Sequence, residues 1–358
     1  MFIELIFIIF HLSFLFLNYL YYRLKKYYKH IIYKEKKTGK EIDIQDKYAC
    51  FVPIDKLEYI PFVFVGTIIF PFRIIIAFSI FFILKFHLML SKIIYKNHAS
   101  DKSQRKKIEN IIKFWMKLYL FFGNISVEKK EIKYAEIYKK YLGDDYDFEN
   151  DSTEEPSFYI SNHLGFLEIA VYIKEYAVSV LITIETQKIP GLGGFLTELG
   201  CQFLNRPDKQ SRDDALKFIS ERQSQDVIKT IVFPEGSTTN GKYILPFKKG
   251  VFMNLKAVKP LITFHLDGCI CSTNRVLFFF RLLATFRTKC VYAELPIIKP
   301  TNFMFENFST MGKEKWEIYM NVVNKIYSEI GGFIQSKMGH RDRTLYYNIA
   351  EDGFYIDK

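Results

Sequence analysis

A histidine and a carboxylate five residues apart, His163 and Glu168, are the residues in this chain whose types and spacing could do acid–base chemistry. They lie in Phe158-Tyr159-Ile160-Ser161-Asn162-His163-Leu164-Gly165-Phe166-Leu167-Glu168. On one continuous helix the two would diverge by roughly 140°, at about 3.6 residues per turn. They can meet only if His163 sits on a turn and Glu168 on the first turn of the following helix, with Gly165 allowing the bend. The carboxylate could then hold one ring nitrogen and leave the other as a general base. About seventy residues on, Ile231-Val232-Phe233 runs into a second polar, glycine-containing loop, Pro234-Glu235-Gly236-Ser237-Thr238-Thr239-Asn240-Gly241.

Rigid elements must position both loops. Each follows a short apolar run of the kind that forms a buried strand, and Phe166 onwards has helical periodicity. From residue 157 the pattern alternates. Strands are expected at 157–161, 178–184, 201–205, 229–233, 260–266 and 290–298. Helices are expected near 166–176, 192–199, 211–223, 249–257 and 313–334. The fold class is α/β, a mixed β-sheet flanked by helices, with membrane helices N-terminal to it. The run Val276–Phe286 is short for a span and reads equally as a membrane-docking surface or as core.

Asn-His followed by four residues and an acid, then Phe-Pro-Glu-Gly-Ser, resemble signature motifs of the glycerolipid acyltransferase superfamily. Thr238-Thr239-Asn240-Gly241-Lys242-Tyr243, Leu245-Pro246-Phe247-Lys248 and the earlier Phe70-Pro71-Phe72-Arg73 look like its lysophosphatidylcholine/lysophosphatidylethanolamine acyltransferase branch. The resemblance covers roughly residues 60–300. It implies acyl transfer from acyl-CoA to the free hydroxyl of a lysophospholipid, with His163 as general base and Glu168 fixing its tautomer. It also implies a substrate-binding set: Asn162, Arg206, Glu235, Gly236, Ser237, Thr238 and Lys248. Arg206, in Gly200-Cys201-Gln202-Phe203-Leu204-Asn205-Arg206, aligns with the family's phosphate-contacting arginine, and Glu235 would bind polar groups of the acceptor. Lys242, Lys248 and Lys249 would attract the CoA phosphates or simply form a solvated basic face.

No cofactor is expected beyond acyl-CoA as co-substrate, and no metal. No Gly-x-Ser-x-Gly elbow marks an enzyme nucleophile. No Asp-x-Asp-x-Asp-Gly loop occurs, so calcium control is not expected. The chain departs from the family pattern at Glu168, where relatives usually have Asp, at Thr238, where many carry Arg, and in a proline-containing block of which only Pro260 is kept. The extra methylene of Glu168 shifts the carboxylate by about 1.5 Å unless the backbone adjusts, and misplacement on that scale costs rate. The rival acceptors are lysophosphatidic acid and glycerol 3-phosphate, or another phospholipid by CoA-independent transacylation. The rival from another class is a catalytically silent, lipid-binding relative.

Composition sets the compartment. Of 358 residues, 49% are hydrophobic and 17% aromatic, and the formal charge is +11, which fits a protein held against an anionic membrane surface. The basic residues flank apolar runs and no reader motif appears, so nucleic acid is not a partner. The partners expected are membrane lipids, acyl-CoA and the lysophospholipid. Five scattered cysteines (Cys50, Cys201, Cys269, Cys271, Cys290) read as reduced and cytosolic.

Residues 1–22 are read as a transmembrane anchor. Residues 23–58 are a basic and polar linker whose Arg23, Lys25, Lys26, Lys29, Lys34, Lys36, Lys37 and Lys40 mark the cytosolic side. Residues 59–107 are expected to be a re-entrant hairpin broken near Pro71 and Arg73, with a tilted single span as the alternative. An acyltransferase domain over 108–340, an acidic connector over 143–156 within it and a C-terminal tail over 341–358 complete the expectation. The resemblance places the protein in the endoplasmic reticulum membrane, and the charge bias alone puts the catalytic domain on its cytosolic side. The sequons at Asn124, Asn150 and Asn307 would bear on that sidedness.

Overall fold

The computed structural model describes residues 2–28, 31–34, 41–54, 57–94, 102–147, 156, 158–222, 229–267 and 275–352. Lys29, Lys36, Lys37, Lys40, Cys269, Cys271, Asn150 and most of the acidic connector lie outside the described residues.

Seven strands make the central sheet: β1 (Ile125–Lys129), β2 (Phe158–Ser161), β3 (Ser179–Thr183), β4 (Gln202–Leu204), β5 (Thr230–Val232), β6 (Val258–Leu266) and β7 (Thr288–Glu294). Their order is β1-β7-β6-β2-β5-β3-β4. The β6–β7 pair is antiparallel and all other neighbours are parallel, so the sheet is mixed. Parallel strands buried on both faces read as continuous apolar runs, which is why β2, β3 and β5 were legible. The edge strand β1, Ile125-Ser126-Val127-Glu128-Lys129, alternates over four residues only, a pattern too short to stand out, and it is not among the expected strands.

The helices beside the sheet include α1 (Phe2–Lys25), α2 (Gly66–Ile94), α3 (Lys102–Phe122), α4 (Leu167–Tyr176), α5 (Leu192–Glu198), α6 (Lys209–Arg222), α7 (Arg275–Ala284), α8 (Lys315–Gly331) and α9 (His340–Asp352). The helix expected at 249–257 is a single 3-10 turn, Gly250–Phe252. Val276–Phe286 resolves toward core at its far end: in α7, Phe279, Leu282, Leu283 and Ala284 are buried.

Two helical runs, Ile3–Tyr28 and Ile60–Ser91, are long and apolar enough to cross a membrane. Both bury one stripe against the rest of the protein: Leu17, Leu20 and Leu24 on α1, and Ile80, Phe81, Leu84 and Leu88 on α2. Their outer faces leave Ile3, Phe7, Leu12, Ile68, Phe72, Ile75, Phe82 and Phe86 exposed. An exposed apolar face of this extent is the mark of a lipid or protein interface.

The expected break in the second run is not there. A π-helical turn, Ile60–Val65, leads directly into α2, and the helix continues through Pro71 to Ile94. The arginine that argued for a break has a different job. Arg73 is buried and donates to the carbonyls of Leu283, Thr285 and Phe286, the last at 2.9 Å. Those carbonyls end α7, where helical C=O groups lack internal partners and the dipole favours a cation. Arg73 is therefore a C-terminal cap supplied by another helix.

Glycine packing ties α2 to α5. Phe81 stacks on Phe195 with ring centroids 6.0 Å apart. A Cβ on Gly193 would lie 2.0 Å from the carbonyl oxygen of Gln187, a backbone atom that cannot step aside. A Cβ on Gly194 would meet only the side chain of Lys85, at 2.9 Å. Gly193→Ala is expected to cost about 1–3 kcal/mol through overpacking, and Gly194→Ala to be close to neutral. Thermal unfolding of the two variants side by side checks this.

Candidate active site

Strands β2 and β5 are adjacent and parallel, with Ile160 level with Val232, so the loops that follow them leave from the same edge of the sheet. Crevices outside the carboxyl ends of parallel strands are the usual ligand sites of such sheets. The main chain then locks the two loops together. The His163 N–H donates to Glu235 Oε1 at 2.7 Å, and the Leu245 N–H donates to Glu235 Oε2 at 2.7 Å. The Thr239 N–H donates to the His163 carbonyl at 2.8 Å.

His163 Nδ1 is hydrogen-bonded to Glu168 Oε1, and its ring stacks on Phe233 with centroids 4.2 Å apart. The carboxylate engages Nδ1, so base chemistry falls to Nε2. Glu168 is wholly buried, at 0% exposure. Its two oxygens also accept the Leu164 N–H at 3.1 Å, and Oε1 accepts the Gly165 N–H at 3.4 Å. These donors precede α4, whose first residue is Leu167, so the carboxylate serves the turn as a cap would. Thr263 donates to Glu168, the Tyr172 hydroxyl lies 2.6 Å from Thr263 Oγ1, and Ser161 Oγ lies 3.0 Å from Tyr172 Oη. A chain of hydroxyls thus fixes a carboxyl that burial pushes upward and the backbone N–H groups pull back down. The bend uses no left-handed backbone at Gly165, which is not among the residues of positive φ. That glycine instead supplies an N–H and lines a cavity.

Two cavities meet at His163. The smaller, about 50 Å³, is walled by Phe166, Ile169, Ile189 and Phe279 and carries Thr238, Ser237 and Arg343. The larger, about 500 Å³, runs under α6 and carries Arg212, Lys248 and Lys249. His163, Thr183, Arg206 and Phe233 line both. A base at the junction of two chambers can act on two substrates at once.

Residues 144–266 match the family model described as Acyltransferase. This stretch is a domain of the glycerolipid acyltransferase superfamily. The acyltransferase domain and its flanks resemble the lysophospholipid acyltransferase LPEAT1 of Arabidopsis thaliana, 28% identical over 206 residues, 54% of this chain and 49% of that protein. LPEAT2 of the same plant is 26% identical over 153 residues, 41% of this chain and 28% of that protein. The 1-acyl-sn-glycerol-3-phosphate acyltransferase of Saccharomyces cerevisiae is 32% identical over 108 residues, 29% of this chain and 36% of that protein. The matches thus span about half or less of these relatives' lengths. Among solved structures, the 1-acyl-sn-glycerophosphate acyltransferase PlsC of Thermotoga maritima aligns with a TM-score of 0.48 at 15% identity, covering 75% of this chain and 96% of that one.

Within the acyltransferase domain the expected substrate-binding residues divide into two groups. Arg206, Gly236, Ser237, Thr238 and Lys248 line the cavities. Arg206 Nη1 donates to the Gly236 carbonyl, and Gly236 takes φ +63°, a left-handed conformation that suits glycine. Lys248 is exposed at the rim of the larger cavity.

Asn162 and Glu235 face the protein instead. Asn162 is buried and pairs with the main chain of Thr263, donating at 2.9 Å and accepting at 2.8 Å, which pins the loop to β6. Glu235 is 0% exposed and both oxygens are occupied by backbone N–H groups. Neither side chain is open to substrate. Each is a strut that holds His163 in place.

Burial pushes the Glu235 carboxyl up to about 8. The folded state then keeps a proton that the unfolded chain loses near the ordinary glutamate value of 4.5, so this group's contribution to stability falls as pH rises from about 4.5 to about 8. Glu235→Gln turns an amide NH2 toward one of two N–H donors. It is expected to cost about 1–3 kcal/mol and to slow turnover by displacing His163. It should also flatten the loss of stability between pH 5.5 and 8, which thermal unfolding at the two pH values measures.

The sequence reading misses two contributors. Phe233 looks like ordinary strand core, yet it backs the imidazole. Arg343 lies in the segment read as a tail. Residues 340–352 form α9, with Tyr346, Tyr347 and Ile349 buried. The helix is clamped to the end of α1. Tyr346 Oη donates to the Tyr27 carbonyl at 3.1 Å, Lys26 donates to the Glu351 carbonyl at 2.9 Å, and Tyr27 and Tyr347 meet edge to face at 5.1 Å. Part of the basic flank after α1 therefore serves an internal contact. The region read as a linker is likewise docked: Asn240 Nδ2 donates to Ala49 O at 2.8 Å and to Val52 O at 2.9 Å. Gly241, also of positive φ, closes that turn beside Leu164.

Proposed function

We propose that the protein is an acyl-CoA-dependent lysophospholipid acyltransferase. The observation that carries this reading is the placement of His163, its Nδ1 held by buried Glu168, where a large basic-rimmed cavity meets a small apolar-walled one. His163 Nε2 takes the proton of the lysolipid hydroxyl as that oxygen attacks the thioester carbonyl carbon. The tetrahedral intermediate collapses with cleavage of the C–S bond. The departing CoA thiolate recovers the proton from the imidazolium, which Glu168 has stabilised meanwhile. No covalent enzyme intermediate forms.

The exposed apolar faces of α1 and α2 lie in the membrane, which supplies the acceptor and takes up the product. In this reading the end of α1 flanked by Arg23, Lys25 and Lys26 faces the cytosol, and the membrane is that of the endoplasmic reticulum. Lys248, Lys249 and Arg212 at the larger cavity draw in the CoA phosphates.

Purified, detergent-solubilised protein is offered labelled acyl-CoA with a panel of lysophosphatidylcholine, lysophosphatidylethanolamine, lysophosphatidic acid and glycerol 3-phosphate. Transfer to a choline or ethanolamine lysolipid is the expected result. Preference for a phosphate monoester would replace the acceptor class. Failure of well-folded protein to transfer to any acceptor would sink the reading.

A further inference from the structure

We infer that Arg343, on the C-terminal helix, joins Arg206 in binding the phosphate of the acyl acceptor in the smaller cavity beside His163. This deepens the proposed function and rests on it for the identity of the ligand.

Arg343 lies outside the stretch matched by the family model, which ends at residue 266. It is 6% exposed, yet it lines the small cavity together with His163, Arg206, Ser237 and Thr238. Its Nη1 donates to Ser237 Oγ at 3.3 Å, and its guanidinium lies 5.2 Å from the ring centroid of Tyr347. Among the described residues it forms no ion pair with a carboxylate, and its Nε has no hydrogen-bond partner. Two further buried polar atoms on the same cavity wall, Thr238 Oγ1 and Thr183 Oγ1, also lack partners. A buried cation without a counter-charge is costly, and so is each buried donor left unsatisfied. An anion in this cavity relieves them together. A tetrahedral phosphate presents enough acceptor oxygens for two guanidinium groups and a hydroxyl at once.

Reach decides which phosphate it is. In a lysoglycerophospholipid at most one carbon lies between the carbon bearing the free hydroxyl and the carbon bearing the phosphate. With that hydroxyl at His163, the phosphate must fall in the same small chamber. In acyl-CoA the whole pantetheine arm separates the thioester from the phosphates. With the thioester at His163, those phosphates lie far away, toward the rim of the larger cavity with Lys248, Lys249 and Arg212.

The clamp on α1 gives the helix its purpose. Tyr346 and Tyr347 hold α9 against Tyr27 and Tyr48, so Arg343 is delivered to the cavity from a rigid element rather than from a loose terminus.

The test uses the full chain and the variants Arg343→Met, which keeps the bulk, and Arg343→Lys, which keeps the charge without the fork. The expected result is a rise of about 10- to 100-fold in KM for the lysolipid in Arg343→Met, with KM for acyl-CoA unchanged and partial recovery in Arg343→Lys. A rise in KM for acyl-CoA instead, or no change in either, overturns the assignment. Should Arg343→Met fail to fold, an unchanged lysolipid KM in Arg343→Lys overturns it equally, and a several-fold rise supports it. A second arm needs no turnover: glycerol 3-phosphate raises the thermal midpoint of wild type more than that of Arg343→Lys. If wild type shows this difference but transfers no acyl group, the anion site stands and the proposed activity falls. If it transfers acyl groups and the difference is absent, the anion site falls and the activity stands.

Discussion

His163→Ala is expected to lower acyl transfer by about 10²–10⁴-fold and to leave the protein folded. The size of the loss follows from the role: without Nε2 nothing positioned takes the acceptor's proton. The survival of the fold follows from the main chain. The contacts that knit the two loops use the His163 N–H, donated to Glu235, and the His163 carbonyl, which accepts from Thr239; an alanine keeps both. The side chain contributes the stack on Phe233 and the bond to Glu168. Its removal leaves Glu168 buried with the Leu164 and Gly165 N–H groups as partners, and burial already favours the protonated carboxyl. Transfer rates at saturating substrates, read beside the thermal midpoint, separate lost chemistry from lost structure. A variant that retains wild-type turnover would remove His163 from the mechanism.

Glu168→Asp has the second-largest expected effect, and its sign is informative. Seen from the sequence, the longer acid is a departure that misplaces the carboxylate. In the structure the length is used. One side chain reaches back from the first turn of α4 to His163 Nδ1, to the Leu164 N–H and to the Gly165 N–H. Aspartate on the same backbone falls short by about 1.5 Å, and misplacement of that order costs on the order of 10²-fold in rate. It also strands the Leu164 N–H in a buried site, a cost of about 1–3 kcal/mol. Glu168→Asp is therefore expected to be slower and less stable than wild type, measured as kcat and thermal midpoint in one preparation. A faster aspartate variant would show that the backbone, not the methylene, carries the adjustment.

The limits of reading the chain show in the polar residues that look alike from outside. Asn162 and Glu235 flank the histidine and carry groups suited to an acceptor's glycerol. Their environment decides otherwise, because buried backbone N–H and C=O groups must find partners and these two side chains are the ones supplied. Pro71 and Arg73 look like a helix break under local rules. A second helix whose last carbonyls need donors turns the arginine into a cap and lets α2 run on. Arg343 carries no local signal at all, since a lone arginine in a polar C-terminal stretch has the pattern of any surface residue.

The sequence by itself determined what depends on short-range pattern. That covers the buried parallel strands with their apolar runs, the turn that puts His163 five residues before Glu168, the two apolar helices, and the motif pair that marks an acyltransferase domain. Tertiary structure alone decided which polar side chains line the cavities and which brace the loops, whether the second apolar run folds back, and that the C-terminal helix reaches the cavity beside His163. The physical reason is common to all three. Each turns on satisfying a buried charge or hydrogen-bonding group with a partner distant in the chain, and no local propensity encodes that partner.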